Sequence, residues 1–110
     1  MPKVLFVCSR NRWRSPTAEA LFRTRAGWST RSAGTGRAAR VRVSAAHLRW
    51  AEVVCCMEHA HAKRLREMFP AETRAVRLVV LGIADDYRRD DPELVARLTE
   101  LVPAAVEASR

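Results

Sequence analysis

"VCSRNRWRSP", residues 7–16, sets one thiol at the end of an apolar run and follows it with Arg10, Arg12 and Arg14 before Ser15-Pro16. Upstream, Val4-Leu5-Phe6-Val7 is continuously apolar, the pattern of a strand buried on both faces. Downstream, Ser15 as N-cap and Pro16 at the first helical position predict a helix start. Ala18, Leu21, Phe22 and Arg25 continue at helical spacing until Ala26-Gly27. The stretch therefore reads as strand, loop and helix, with the thiol at the mouth of the loop.

The same alternation runs on to the C-terminus. Trp28 to Ala33 reads as a second strand closed by Gly34-Thr35-Gly36, and the arginine-rich stretch 37–42 as a loop. A helix capped by Ser44 follows through Ala45, Leu48 and Trp50. Val53 to Met57 is a third strand, and Glu58 to Phe69 a helix ended by Pro70. Val76 to Ile83 is the fourth strand. Asp91-Pro92 caps a last helix with Leu94, Val95, Leu98, Leu101 and Val102 on its apolar face, which Pro103 should kink or stop. Strands alternating with helices predict an α/β fold: a four-stranded parallel sheet with helices on both faces, in a single domain over 1–110. Ligands of such sheets gather beyond the carboxyl ends of the strands. Cys8 to Arg14, Ser32 to Gly36 and Asp85 to Asp91 all fall there.

Composition narrows the class further. The 110 residues, 48% of them apolar, suit one globular domain. MPKVLFVC is no secretory signal, and no run approaches the ~20 apolar residues of a membrane span. Three cysteines, two of them adjacent as Cys55-Cys56, do not make a disulfide framework, so a reducing cytoplasmic setting is expected. The formal charge of +8 is concentrated in residues 1–50, where Glu19 is the sole acid. Asymmetry of this kind marks an anionic partner or a general arginine bias.

A loop that runs into a helix N-terminus can cradle a phosphate, because its backbone N–H groups and the helix dipole both favour an anion. Arg14 can hold two phosphate oxygens through its planar fork. The same positive field favours a thiolate at Cys8, placed for in-line attack on phosphorus. A nearby carboxylic acid would protonate the leaving oxygen. Cys-x5-Arg alone is a weak signal in a chain with 18 arginines; its strength lies in the strand before and the Ser-Pro after.

"FVCSRNRWRSPTAEALF" (residues 6–22) resembles the phosphate-binding loop of low-molecular-weight protein tyrosine phosphatases. "RSAGT" (31–35) and "VVCCMEHAH" (53–61) resemble segments of that family in the same order. The resemblance spans essentially the whole of a chain shorter than most members. It implies that Cys8 is the nucleophile and Arg14 the phosphate clamp. It also implies that Asn11 holds the loop through side-chain hydrogen bonds and that Ser15 donates one to the thiolate. Ser9, Arg10, Arg12 and Trp13 complete the phosphate-binding loop. No cofactor is implied.

The family places its general acid in a loop after the fourth strand, usually as Asp-Pro-Tyr. Asp85 matches that position, two residues after Ile83 and two before Tyr87, with Asp86 in place of the proline. Asp91-Pro92 offers a rival Asp-Pro, but it reads equally well as a helix cap. Asp85 is preferred, then Asp91, then Asp86. Trp13 and Tyr87 either line the pocket or pack as core residues.

Other departures matter. Arg10 stands where the family commonly has glycine, and Trp13 replaces a second loop cysteine that could protect Cys8 by disulfide formation. No cysteine lies beyond position 56, so the thiol relay of arsenate reductases of this fold lacks partners. His59 and His61 with Cys55 and Cys56 lack metal-ligand spacing, and the cysteine pair reads as strand core. The expected substrate is a phosphotyrosine protein or small phosphoester. The basic half suits a nucleotide or RNA end, including a cyclic phosphate, equally well; a non-catalytic anion- or nucleic-acid-binding module is the reading from another class.

Overall fold

In the computed structural model, which describes residues 2–108, strand and helix alternate as the apolar runs require. The order is β1 (Lys3–Cys8), α1 (Arg14–Arg23), β2 (Ser29–Gly34), α2 (Ala45–Trp50), β3 (Val53–Cys56), α3 (His59–Met68), α4 (Pro70–Ala75), β4 (Arg77–Val80) and α5 (Pro92–Glu107). The strands form one sheet in the order β2-β1-β3-β4, and every neighbouring pair is parallel. Because successive strand residues point to opposite faces, β1 serves two cores at once. Val4, Phe6 and Cys8 pack with Phe22 of α1 and Leu94 and Leu98 of α5. Leu5 and Val7 pack with Leu48 of α2 and Ala62 and Leu65 of α3. The predicted α/β architecture with helices on both faces is the one observed. No helix among the described residues is long and apolar enough to cross a membrane.

Two local expectations are corrected, and one short helix is added. Ser15 is not the N-cap of α1: the helix begins at Arg14, and Trp13 occupies the cap position without a side-chain cap. The Ser15 hydroxyl is engaged at the thiol instead. Helix α3 ends before Pro70 as expected, but Pro70 also opens a short helix not anticipated from the sequence, α4, at its first turn, where its missing N–H costs nothing. Pro103 does not stop α5, which runs on to Glu107. An interior proline costs about 3 kcal/mol; burying Val102 and Val106 on either side offsets it at about 1.5–3 kcal/mol each.

The strand order places β2 on one side of β1, and β3 and β4 on the other. Connections leaving β1 and β3 therefore diverge, opening a crevice at the carboxyl end of β1. Cys8 is the last residue of that strand. Beyond β4 the ladder continues irregularly, with Leu81 and Ile83 donating to the Cys56 and Met57 carbonyls. This extension carries the chain to Asp85 at the same edge.

Candidate active site

The loop after β1 is shaped from behind by the segment after β2. Thr35 N–H donates to the Cys8 carbonyl at 3.0 Å, Gly36 N–H to Ser9 at 2.9 Å and Arg40 N–H to Arg10 at 3.0 Å. Arg40 Nε donates to the Asn11 carbonyl at 3.1 Å. Four successive carbonyls are thus held outward, which leaves the loop amides to line a concavity suited to an anion. The close approach depends on Gly34, where a Cβ would meet the Ser9 oxygen at 2.6 Å, Ala39 Cβ at 2.7 Å and Asn11 N at 3.0 Å. Gly34→Ala is expected to destabilise the fold by about 1–3 kcal/mol and to cost activity beyond that, measured by urea unfolding alongside turnover of an aryl phosphate.

Asn11 sits at the turn of the loop with φ 55°, a left-handed conformation that asparagine tolerates better than most residues. Its backbone N–H donates to Cys8 Sγ at 3.2 Å. Its side-chain amide, fully buried, donates to both the Ser15 and Ser32 hydroxyls at 2.9 Å. Ser32 in turn donates to Glu19. Ser15 Oγ lies 2.9 Å from Cys8 Sγ and 3.4 Å from the Ala33 carbonyl. With its oxygen already accepting from Asn11, the Ser15 proton is free for the sulfur, the nearer acceptor when Cys8 is a thiolate. Two donors, Asn11 N–H and Ser15 O–H, then converge on one sulfur.

Arg14 is 2% exposed, and a buried guanidinium requires partners. Its Nη1 donates to Glu58 Oε1 at 2.5 Å and to the Ile83 carbonyl at 2.8 Å. Both protons on that nitrogen are therefore committed. The Nε lies 3.6 Å from Asp85 Oδ1, an ion-pair distance and not a hydrogen bond. The Nε–Nη2 edge consequently remains available for a phosphoryl group, in the two-pronged geometry that makes arginine a phosphate ligand. Asp85 is exposed at the pocket mouth, with the other lining residues Cys8, Ser9, Arg10, Arg12, Trp13 and Arg14.

Glu58 and His61, at the start of α3, also belong to the site, a role no motif in the chain had assigned them. His61 is 3% exposed. Its Nδ1 accepts from Glu58 N–H at 3.0 Å, so the neutral ring carries its proton on Nε2 and donates to Ser9 Oγ at 2.9 Å. Burial first, then the Arg14 charge, pushes the His61 pKa down to about 4, against the opposing pull of Glu58 and Asp85. The unfolded chain, with a value of 6.5, therefore takes up the proton first as pH falls. This stabilisation is complete above pH 6.5, lost as pH drops toward 4, and constant below. Denaturant titrations should show up to about 3 kcal/mol lost through that window, and His61→Asn should shrink the loss.

The structure gathers Cys8, Ser9, Arg10, Arg12, Trp13, Arg14 and Asp85 at one pocket, with Asn11 and Ser15 buried beneath it. Trp13, 42% exposed, stands at the rim. Tyr87, expected among the binding residues, instead packs its ring against the α5-side core and does not line the pocket. Asp91 caps α5 by accepting from Glu93 N–H at 2.9 Å, as its place before Pro92 leads one to expect. Cys55 and Cys56 point into opposite cores, and burial pushes both thiols up to about 12.

Residues 3–44 match the sequence model of the low molecular weight phosphotyrosine protein phosphatase family. Among proteins with curated descriptions, none matches the chain by sequence. The fold recurs in a low molecular weight protein tyrosine phosphatase from Streptococcus pyogenes. That protein is 16% identical with a TM-score of 0.80, over 100% of this chain and 94% of the other. It recurs in the tyrosine phosphatase Wzb from Escherichia coli K30, solved with phosphate, at 22% identity and a TM-score of 0.75 over 100% of both chains. The YwlE arginine phosphatase from Geobacillus stearothermophilus is 23% identical with a TM-score of 0.72, over 98% of this chain and 90% of the other.

Proposed function

We propose, since residues 3–44 match the sequence model of the low molecular weight phosphotyrosine protein phosphatase family and the whole chain shares the fold of such enzymes, that the protein is a cysteine-dependent phosphatase hydrolysing aryl phosphate monoesters of the phosphotyrosine type. The observation that carries this reading is the single pocket shared by Cys8, the free edge of Arg14 and Asp85.

In the proposed reaction the Cys8 thiolate attacks phosphorus from below, opposite the ester oxygen. Loop N–H groups and the Nε–Nη2 edge of Arg14 hold the three equatorial oxygens and stabilise the charge that builds on them. The S–P bond forms as the P–O bond breaks, and the Asp85 carboxyl gives its proton to the departing aryl oxygen. Water then attacks the cysteinyl phosphate, with the Asp85 carboxylate taking its proton. Inorganic phosphate leaves and the thiolate returns.

An aryl leaving group fits this pocket better than a guanidino one. Trp13 at the rim offers a ring face for stacking, while Arg10 and Arg12 would repel the cation of phosphoarginine. The deciding experiment is an initial-rate comparison of phenyl phosphate, a phosphotyrosine peptide, phosphoarginine and a nucleoside 2′,3′-cyclic phosphate. It includes acid-quench mass spectrometry for a phosphoryl group on Cys8. Preference for the two aryl esters with a trapped Cys8 adduct is expected. Turnover of the cyclic diester alone, or no adduct with any of them, would overturn the assignment.

A further inference from the structure

Arg10 and Arg12 are the cations of the pocket that the hydrolysis leaves without a task. Both line it, both are exposed, and neither side chain has a hydrogen-bond or ion-pair partner among the described residues. Arg14 and Arg40, which also reach the loop, are by contrast committed. Arg14 meets Glu58, the Ile83 carbonyl and Asp85. Arg40 holds the Asn11 carbonyl, and Arg31 lies over the Trp50 ring.

Arg10 and Arg12 also spring from fixed backbone. They flank Asn11 at its left-handed turn, and the Arg10 and Asn11 carbonyls are both tied to Arg40. Two exposed, unpaired arginines are thereby set on one rigid loop that lines one pocket, so little backbone ordering is lost when an anion joins them. The phosphoryl group itself has the loop amides and the Arg14 edge. An anion for Arg10 and Arg12 must come from elsewhere on the substrate.

We infer that Arg10 and Arg12 form a second anion subsite at the pocket mouth, separate from the phosphoryl cradle, selecting aryl phosphates that carry another negative group on the leaving-group side. The inference rests on the phosphatase reading above and names its substrate class. Solvent-facing ion pairs contribute a factor of roughly two to five each. Two arginines on one carboxylate should therefore give roughly five- to twentyfold preference at low salt, decaying as salt screens the pair.

The test uses 3-carboxyphenyl phosphate and 3-carbamoylphenyl phosphate, matched in size and differing in charge. The carbamoyl ester has the better leaving group, so intrinsic reactivity works against the predicted preference. Calorimetry on Cys8→Ala, which has no nucleophile, should show the carboxylate probe bound roughly five- to twentyfold tighter, with kcat/KM of the wild type following the same order. In Arg10→Gln/Arg12→Gln the ratio should fall to about one, and added salt should act likewise. Equal affinities in the parent, or a double substitution that weakens both probes by the same factor, would assign these arginines to the phosphoryl group and overturn the subsite. An intact binding ratio with no wild-type turnover would support the subsite and sink the phosphatase reading alone.

Discussion

Cys8→Ser should lose turnover of every phosphoester by roughly 10⁴-fold or more while still binding inorganic phosphate within a few-fold of wild type. The size of the loss follows from removing the one group that forms the covalent bond, since the remaining residues of a concerted site do not replace a nucleophile. Retention of binding follows from the geometry beneath the pocket. Asn11 N–H and Ser15 O–H would find an oxygen where they now find sulfur. The outward-held carbonyls and the free Arg14 edge are untouched by the change. Phosphate release assays and calorimetry read the two halves separately. Substantial residual turnover would remove Cys8 from the reaction, and lost binding would mean that the thiol also builds the cradle.

Asp85→Asn should discriminate among leaving groups. Phenyl phosphate, whose oxygen departs poorly unless protonated, should slow by roughly 10²- to 10⁴-fold. p-Nitrophenyl phosphate, which needs little protonation, should slow far less. Asp91→Asn should change neither, because asparagine caps a helix about as well as aspartate and can accept from Glu93 N–H in its place. Asp86→Asn should likewise leave the leaving-group dependence intact, since Asp86 does not line the pocket. A series of substituted phenyl phosphates across these three variants gives the answer as three slopes. A steeper slope in Asp86→Asn or Asp91→Asn, with Asp85→Asn unchanged, would reassign the acid.

The halves of this site differ in how visible they are without coordinates. Cys8, Arg14 and Ser15 lie within eight residues, and the local pattern of buried strand, loop and helix already implies their convergence. Of the two readings of Ser15, the helix cap failed and the contact with the sulfur implied by the family resemblance held. Glu58 and His61 were invisible for another reason. They reach the loop because β3 lies beside β1 in the sheet, and no spacing in the chain reports a strand order. The one available signal was the end of the run Val53 to Met57: the next polar residue had to emerge at the same edge as Cys8. For Tyr87 two readings stood open, pocket wall or core. Sequence position put it near the pocket, and the apolar surface beside α5 took its ring instead.

The four carbonyls held from residues 35–40 have a consequence for variation. The contacts that fix the loop run through its main chain and the side chains of Ser9 and Asn11, so the side chains at positions 10, 12 and 13 take no part in holding it. Exchanging them alters what meets the substrate without disturbing the frame that aims the sulfur. Catalytic geometry and substrate preference are thereby carried by different atoms of the same seven residues, and a lineage can drift in what it accepts while its chemistry stays put.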